Sequence, residues 1–330
     1  MSAWLQRQWY RIGVWHLVLI PVSWLFGLLV FIRRYCYRIR LFRSYKLPVP
    51  VIVVGNISVG GTGKTPVVIW LAEKLQSVGL RPGIISRGYG ATGNGQDIIS
   101  VTAKSDPRLA GDEPVLIAQR TRCPVWVGRD RVAAARALLA GNPGCDIIIS
   151  DDGLQHYRLQ RDFEIAVMDG DRKFGNAQLL PAGPLREPES RMEAVEAVIV
   201  NGIGEVSGSY SMKMESMPLR NLLVGSQAAG VEPFQDKDVH AIAGIGNPDR
   251  FFSQLERLGL IFKRHRFADH HAFSLQDLQN LDAEVIVMTE KDAVKCAAFA
   301  QNNWWCLPVN AVINTALLSH IVKKLNLNPA

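Results

Sequence analysis

The first 72 residues of this 330-residue chain contain no aspartate or glutamate; the first acidic side chain is Glu73. The same stretch holds nine Lys and Arg, and with the whole chain at +7 everything after it sums to −2. The basic character is therefore local, which argues against a nucleic-acid-binding domain. Cysteine is scarce too. The five (Cys36, Cys123, Cys145, Cys296, Cys306) are odd in number and form no C-x-x-C pair. That excludes a disulfide framework and the usual zinc sites, and fits reduced core thiols in a cytosolic setting. No internal repeat or long low-complexity segment occurs. The length suggests about two domains.

What is present begins with an apolar run over residues 14–32, interrupted by His16, Pro21, Ser23 and Gly27 and accompanied by Trp4, Trp9, Trp15 and Trp24. Its length barely spans a hydrocarbon core, and Pro21 would kink a helix there. Arg33 and Arg34 follow at once, without a small-residue cleavage site, so a secretory signal peptide is not expected. In the basic tract 33–46, each charge would add ~1 kcal/mol near anionic lipid and hold that side in the cytoplasm. The expectation is a membrane-associated helix, spanning or interfacial. The competing reading is a buried core helix with a solvated basic tail.

Residues 51–66 organise the rest. A β-branched run reads as a buried strand, a glycine-rich turn follows, and 67–76 is helix-forming. That order is the context a phosphate-binding loop needs. Ser58, Val59, Gly60, Gly61, Thr62, Gly63, Lys64 and Thr65 would cradle phosphates with backbone N–H groups. Lys64 would reach the β/γ-phosphates and the Thr65 hydroxyl would ligate Mg²⁺. Pro66 suits the first helical turn. Ser58 departs from the generic pattern G-x-x-x-x-G-K-[ST], standing where the first glycine belongs. A chance Gly-Lys-Thr is the bland alternative, and the flanking strand and helix weigh against it.

From residue 51 to about 200, strand and helix patterns alternate, predicting a parallel sheet covered on both faces. Residues 202–237 are less regular, and a second β–α series follows. The expected architecture is α/β: a P-loop NTPase-like domain, a smaller α/β/α domain and an N-terminal membrane-associated helix. The corresponding boundaries are 1–48, 49–220 and 221–330. Asp151 and Asp152 close a hydrophobic strand about ninety residues after the loop, where carboxylates can hold Mg²⁺ or its waters. Asp112 and Glu113 open a helix and read on sequence alone as caps. Asp269-His270-His271 offers a metal pair without a third ligand, a catalytic histidine or a solvent-facing loop. Thr289-Glu290-Lys291-Asp292 resembles the guanine-reading N-K-x-D tetrad with its lysine one place late, which gives GTP no support.

Taken together, several motifs stand in one order: residues 55–66; Ser86-Arg87-Gly88-Tyr89-Gly90; Gly111-Asp112-Glu113-Pro114; Asp151-Asp152-Gly153-Leu154-Gln155-His156; Pro181-Ala182-Gly183-Pro184-Leu185-Arg186-Glu187-Pro188; Asp269-His270; and Thr289-Glu290-Lys291-Asp292. In this the chain resembles the tetraacyldisaccharide 4′-kinase family of lipid A biosynthesis over its whole length, and the odd Ser58 matches that family. The resemblance implies ATP- and Mg²⁺-dependent phosphorylation of the 4′-hydroxyl of a tetraacylated glucosamine disaccharide 1-phosphate. It places the enzyme at the cytoplasmic face of the inner membrane, peripheral or N-terminally anchored, with the site in a cleft between two α/β/α domains. It implies Asp112 as catalytic base with His270 as partner, Asp151 and Asp152 near Mg²⁺, and Arg186 and Glu187 beside the phosphates and metal. The partners implied are the lipid A precursor and membrane lipid, with no nucleic acid and no obligate protein partner.

The main rival is a membrane-associated P-loop ATPase of the partitioning or targeting kind. Such proteins often carry an extra lysine early in the loop, and Ser58-Val59-Gly60-Gly61 has none. A scaffold with a vestigial loop leaves the intact Lys64, Thr65 and acidic pair unexplained.

Overall fold

The computed structural model describes residues 9–10, 13–88, 98–204 and 206–327; Trp4, Tyr89 and Gly90, noted above, lie outside them. In chain order the strands are β1 (Val51–Gly55), β2 (Pro82–Ser86), β3 (Ile99–Val101), β4 (Val125–Val127), β5 (Ile147–Asp151), β6 (Phe163–Asp169), β7 (Ala197–Asn201), β8 (Tyr210–Ser216), β9 (Leu219–Asn221), β10 (Ala228–Ala229), β11 (Val239–Ala243), β12 (Lys263–Arg266), β13 (Val285–Thr289), β14 (Trp304–Leu307) and β15 (Val309–Ile313). The α-helices are α1 (His16–Arg38), α2 (Lys64–Ser77), α3 (Pro107–Ala110), α4 (Asp112–Thr121), α5 (Arg131–Gly141), α6 (Pro248–Arg257), α7 (Leu275–Gln279), α8 (Glu290–Cys296) and α9 (Ala316–Lys324).

Among the described residues, nine strands form the larger sheet in the order β15-β8-β7-β6-β1-β5-β2-β4-β3. Six form a second sheet, β10-β9-β14-β13-β11-β12. Both centres are parallel, β1 with β5 and β6, and β13 with β11 and β14. This is the arrangement that β–α alternation produces, since a parallel pair needs a crossover that a helix supplies. Toward the edges the parallel expectation fails: β3 runs antiparallel to β4, β15 to β8 and β9 to β14. These strands are short or half-exposed and lack the continuous apolar run of a doubly covered strand.

All five residues of β1 are buried. Ile52 and Val54 face a core shared with α2 and α4, while Val51 and Val53 face the opposite core, which includes Val132, Ala135 and Leu138 of α5. Two-residue periodicity thus gives the strand two buried faces, and its C-terminal end opens into the glycine loop. The chain does not leave the larger sheet for good at residue 220. After β14 it returns, β15 pairs with β8 in the register Ala311↔Met214, and Leu317 and Ile321 of α9 join the core of the larger sheet. That return covers an edge which β8 would otherwise present to solvent.

Helix α1 inverts the usual arrangement. Its buried residues are the polar His16 and Ser23, whereas Leu17 is 77% exposed, Trp24 70% and Phe31 64%. Ser23 Oγ donates to Leu179 O at 2.8 Å and accepts from Ala182 N at 2.9 Å. Gly13 N donates to His16 Nδ1 at 3.0 Å, and His16 Nε2 donates to Ala182 O at 3.1 Å. The polar interruptions in the apolar run are therefore where the helix grips the body of the protein. The core-helix reading is excluded for the described residues, since only 11% of the apolar window is buried.

Candidate active site

The glycine loop joins β1 to α2. Gly63 caps the helix at φ 96°, and a Cβ there would come within 2.6 Å of the Asn201 side chain. Glycine is required on both counts. Ser58 needs no such freedom: it forms an antiparallel bridge with Leu185, and Val59 N donates to Pro184 O at 2.8 Å. Extended backbone at this position accepts any side chain, which explains the departure from the generic pattern. Arg186 N donates to Ile57 O at 2.6 Å, so residues 184–186 run as a strip along the first half of the loop. From the other side, Asn201 Nδ2 donates to Thr62 O at 2.9 Å.

Lys64 lies 3.4 Å from Asp152 Oδ1 and donates to Asn56 Oδ1 at 3.3 Å. Arg186 Nη1 reaches Asp152 Oδ2 at 3.2 Å. Burial works against the Asp152 charge, but Lys64, Arg186 and Arg131 outweigh it and hold the carboxyl at about 2. Its neighbour Asp151 behaves oppositely. Burial first, then the charges of Glu113 and Asp152, push its carboxyl up to about 7 against Lys64 and Arg131. Ser86 Oγ donates to Asp151 Oδ2 at 3.1 Å, while Oδ1 is buried and receives no hydrogen bond from the described residues. A buried acceptor of this kind calls for a partner. Arg131, itself buried, donates to the carbonyls of Asp151 (2.8 Å) and Asp152 (3.1 Å) and fixes the turn.

Among the described residues no three His, Cys, Asp or Glu side chains converge as a metal cage. Mg²⁺ does not need one, because it keeps several waters and takes phosphate oxygens. The orphan Asp151 Oδ1, at the end of the strand next to β1, fits such an ion. Glu187, expected beside the metal, is buried. It is 1% exposed, its Oε1 accepts from Tyr157 Oη, and its Oε2 accepts from Gln155 Nε2 at 2.9 Å. It lies beneath the strip that carries Arg186, and each of its oxygens, with one hydrogen bond accepted, keeps a further lone pair.

The second cluster spans the two sheets. Asp112 is the first residue of α4, and its two oxygens divide the work: Oδ1 accepts from Glu113 N at 2.9 Å, and Oδ2 lies 3.2 Å from His270 Nδ1. The N-cap of α4 is Gly111, which makes no side-chain capping bond, so the capping expectation for Asp112 is not met; the contact with His270 joins the two sheets. His270 sits at φ 60°, a left-handed conformation uncommon for residues with a side chain. His271 turns away to Asp277 Oδ2 at 3.4 Å, so the two histidines do not form a metal pair.

Lys291 stands 3.0 Å from Glu113, 3.8 Å from Asp269 and 3.9 Å from Asp112. Burial alone would raise the Asp112 carboxyl; the hydrogen bond from His270 and the charges of Lys291, His270 and Lys295 hold it below its ordinary 3.8. The same hydrogen bond raises His270 above 6.5, against burial and Lys291.

Sequence reasoning missed Lys291 as a site residue, and the structure divides its motif into four tasks. Thr289 Oγ1 donates to Asp292 Oδ2 at 2.8 Å, and that same oxygen accepts from Gly244 N at 3.0 Å. Glu290 takes both oxygens to Arg120 Nη1 at 2.9 Å, tying α8 to the far end of α4. Lys291 alone enters the cluster. The available signal was position: polar residues directly after a buried parallel strand, where open α/β sheets gather ligands.

The family profile described as "LpxK: Tetraacyldisaccharide-1-P 4'-kinase" matches residues 15–326. The chain is 54% identical over 324 residues to the tetraacyldisaccharide 4'-kinase of Methylobacillus flagellatus, covering 98% of this chain and 96% of that one. It is 47% identical to that of Nitrosococcus oceani, covering 98% and 95%. A crystal structure described as the "apo" form of LpxK from Aquifex aeolicus in complex with ATP superposes with a TM-score of 0.76. It is 28% identical and covers 92% of this chain and 98% of that one. With the loop, the acidic turn and the Asp112–His270 pair in place, the chain belongs to the tetraacyldisaccharide 4'-kinase family.

Proposed function

We propose that Lys64, Thr65, Asp151, Asp152 and Arg186 form the ATP and Mg²⁺ side of the site, and that Asp112 with His270 handles the proton of the acceptor. Family membership makes the protein an ATP-dependent kinase acting on the 4′-hydroxyl of a tetraacylated glucosamine disaccharide 1-phosphate, a lipid A precursor. The observation that carries the division of labour is the Asp112 Oδ2 to His270 Nδ1 contact at 3.2 Å, made between two sheets. A sugar hydroxyl is a weak nucleophile, so a positioned carboxylate accepts its proton as the phosphoryl group moves. His270 orients Asp112, and Lys291 keeps it ionised. Lys64 and Arg186, both now on Asp152, are placed to turn toward phosphate oxygens as charge develops there. Thr65 and Asp151 would hold Mg²⁺ or its waters, and the ion would supply charge neutralisation at the phosphates. ATP consumption measured with and without the lipid disaccharide tests this reading; hydrolysis indifferent to the lipid would favour an ATPase switch.

The working units follow the strand pairing: α1 with the basic tract, a phosphate-loop unit of residues 49–218 joined by 309–327, and a smaller unit of 219–307. Helix α1 seats in the cytoplasmic face of the inner membrane. Each large apolar side chain left in water forfeits ~1.5–3 kcal/mol, and α1 exposes many, including Val18, Leu25, Leu28 and Leu29. The docking hydrogen bonds return only ~1 kcal/mol each, so a lipid surface is the environment in which the helix is stable. Removing residues 1–38 should move the protein to the soluble fraction. Binding that persists through Arg40, Arg43 and Lys46 should fall with salt; unchanged partition at every salt concentration would exclude this role for α1.

A further inference from the structure

Tyr157 has no part in the assignments above, yet it touches two of the regions they involve. Its ring lies against Tyr37, in the last turn of α1, with centroids 5.8 Å apart, and the Arg161 guanidinium covers it at 5.2 Å. Its hydroxyl donates to Glu187 Oε1. Glu187 Oε2 accepts from Gln155 Nε2 at 2.9 Å, and the same nitrogen donates to Asn56 O at 3.0 Å. Asn56 Oδ1 in turn accepts from Lys64 Nζ at 3.3 Å. Direct contacts therefore run without a gap from the end of the apolar helix to the lysine of the phosphate loop.

We propose that Tyr157 is a positioning residue that ties the seating of α1 to the geometry of the phosphate loop. The carboxylate it serves is 1% exposed, and a buried acceptor that loses its donor must find another or move. Arg191 Nε, 3.8 Å away, is the nearby cation toward which Glu187 would shift. Such a shift would draw on Gln155 and on the strip whose Arg186 N holds Ile57 O, and both reach the loop. Burial, then the Glu187 charge, push the phenol up to about 12, so the hydroxyl keeps its proton and stays a donor at working pH. Tyr37 packed against the ring makes the position of the hydroxyl depend on where α1 ends.

Contiguity does not by itself establish coupling, so the test measures coupling. The full-length enzyme is assayed on the tetraacylated disaccharide 1-phosphate in mixed micelles, following kcat, both KM values and melting temperature. Tyr157→Phe keeps the ring and removes the donor. It should lower kcat about tenfold with lipid KM and melting temperature nearly unchanged. Glu187→Gln should lose about as much, and the double variant should be no worse than the poorer single. Tyr37→Leu should give a smaller kcat loss that vanishes in the Tyr157→Phe background. If Tyr157→Phe melts early, Gln155→Leu cuts the same run at a half-buried position and must reproduce the kcat loss. Wild-type kinetics, or losses that multiply, would overturn the proposal. It rests on the phosphate-loop reading, and Lys64→Ala separates the two: an inert Lys64→Ala beside a normal Tyr157→Phe removes only the tie, whereas an active Lys64→Ala removes the loop assignment itself.

Discussion

The phosphate half of the site and the proton half are built in opposite ways. Lys64, Asp151 and Asp152 follow β1 and β5, which are paired neighbours in one sheet, with Val54 opposite Asp151. Arg186 is brought in by a strip hydrogen-bonded to the loop itself. The proton half takes Asp112 from the first turn of α4 over the larger sheet, and His270 and Lys291 from the ends of β12 and β13 in the smaller one. The first half depends on strand register, which is stiff and local. The second depends on how two helices, α4 and α8, pack across the boundary. Catalytic contacts of the second kind can be perturbed without touching nucleotide binding, and that difference can be measured.

Breaking the phosphate half should have the largest effect. Lys64→Ala should lower turnover by about 10³-fold or more, since charge neutralisation at the phosphates carries most of phosphoryl transfer. Its melting temperature should hardly change, because the lysine serves phosphate and not the core; near-normal turnover in the folded variant would end the assignment.

Next comes the base. Asp112→Asn keeps an acceptor for Glu113 N but cannot accept a proton, so kcat should fall by about 10²–10⁴ with ATP affinity retained. Adding His270→Ala should cost little more if the two act as a unit. Fully multiplicative losses would make them separate sites and return His270 to substrate binding or structure.

Arg120→Ala sharpens the comparison from a distance. It leaves the 6%-exposed Glu290 with Arg220 and Val309 N, removing one tie between α4 and α8 while Lys291 still pairs with Glu113. A broken buried pair costs about 3 kcal/mol, visible as a lower melting temperature. The kcat should drop while KM for ATP stays put, and an equal change in both would mean that the halves are not independent.

The smallest effect concerns pH. Asp112 is a depressed carboxylate, so its stabilisation stands above 3.8 and is lost as pH falls through its folded value. His270 is raised, so its contribution is complete below 6.5 and is lost as pH climbs through its folded value. The charged pair is therefore at full strength from about 3.8 to 6.5. Lys291→Met removes a charge that lowers both groups. The acid limb of kcat should move to higher pH, with less than about a tenfold loss near neutrality. An acid limb that stays in place would show that Lys291 does not tune the base.

The grouping of Lys64 with Asp151 and Asp152 was readable in the sequence because these residues are adjacent in the chain or lie on neighbouring buried strands. Ser58 is the exception that proves informative: its residue type looked wrong until the bridge to Leu185 showed that no left-handed backbone is needed there. Glu187 was legible as a motif residue, but its contacts were not, because nothing in the local pattern says that its oxygens turn to Gln155 and Tyr157. Lys291 was legible as a motif residue with no role assigned, one of four polar residues after a strand, of which tertiary packing brings one to Asp112.

The sequence alone determined the strand–loop–helix around Lys64, the acidic turn at the end of β5, and a long apolar helix near the N-terminus. These follow from periodicity, glycine placement and charge distribution, which act over a few residues. Only the tertiary structure decided that Asp112 meets His270 at 3.2 Å across 158 residues, that His16 and Ser23 hold α1 to the body, and that the last strand returns to the larger sheet. Those outcomes depend on helix packing and sheet-edge pairing, whose energies are shared among many distant side chains and are written in no single stretch.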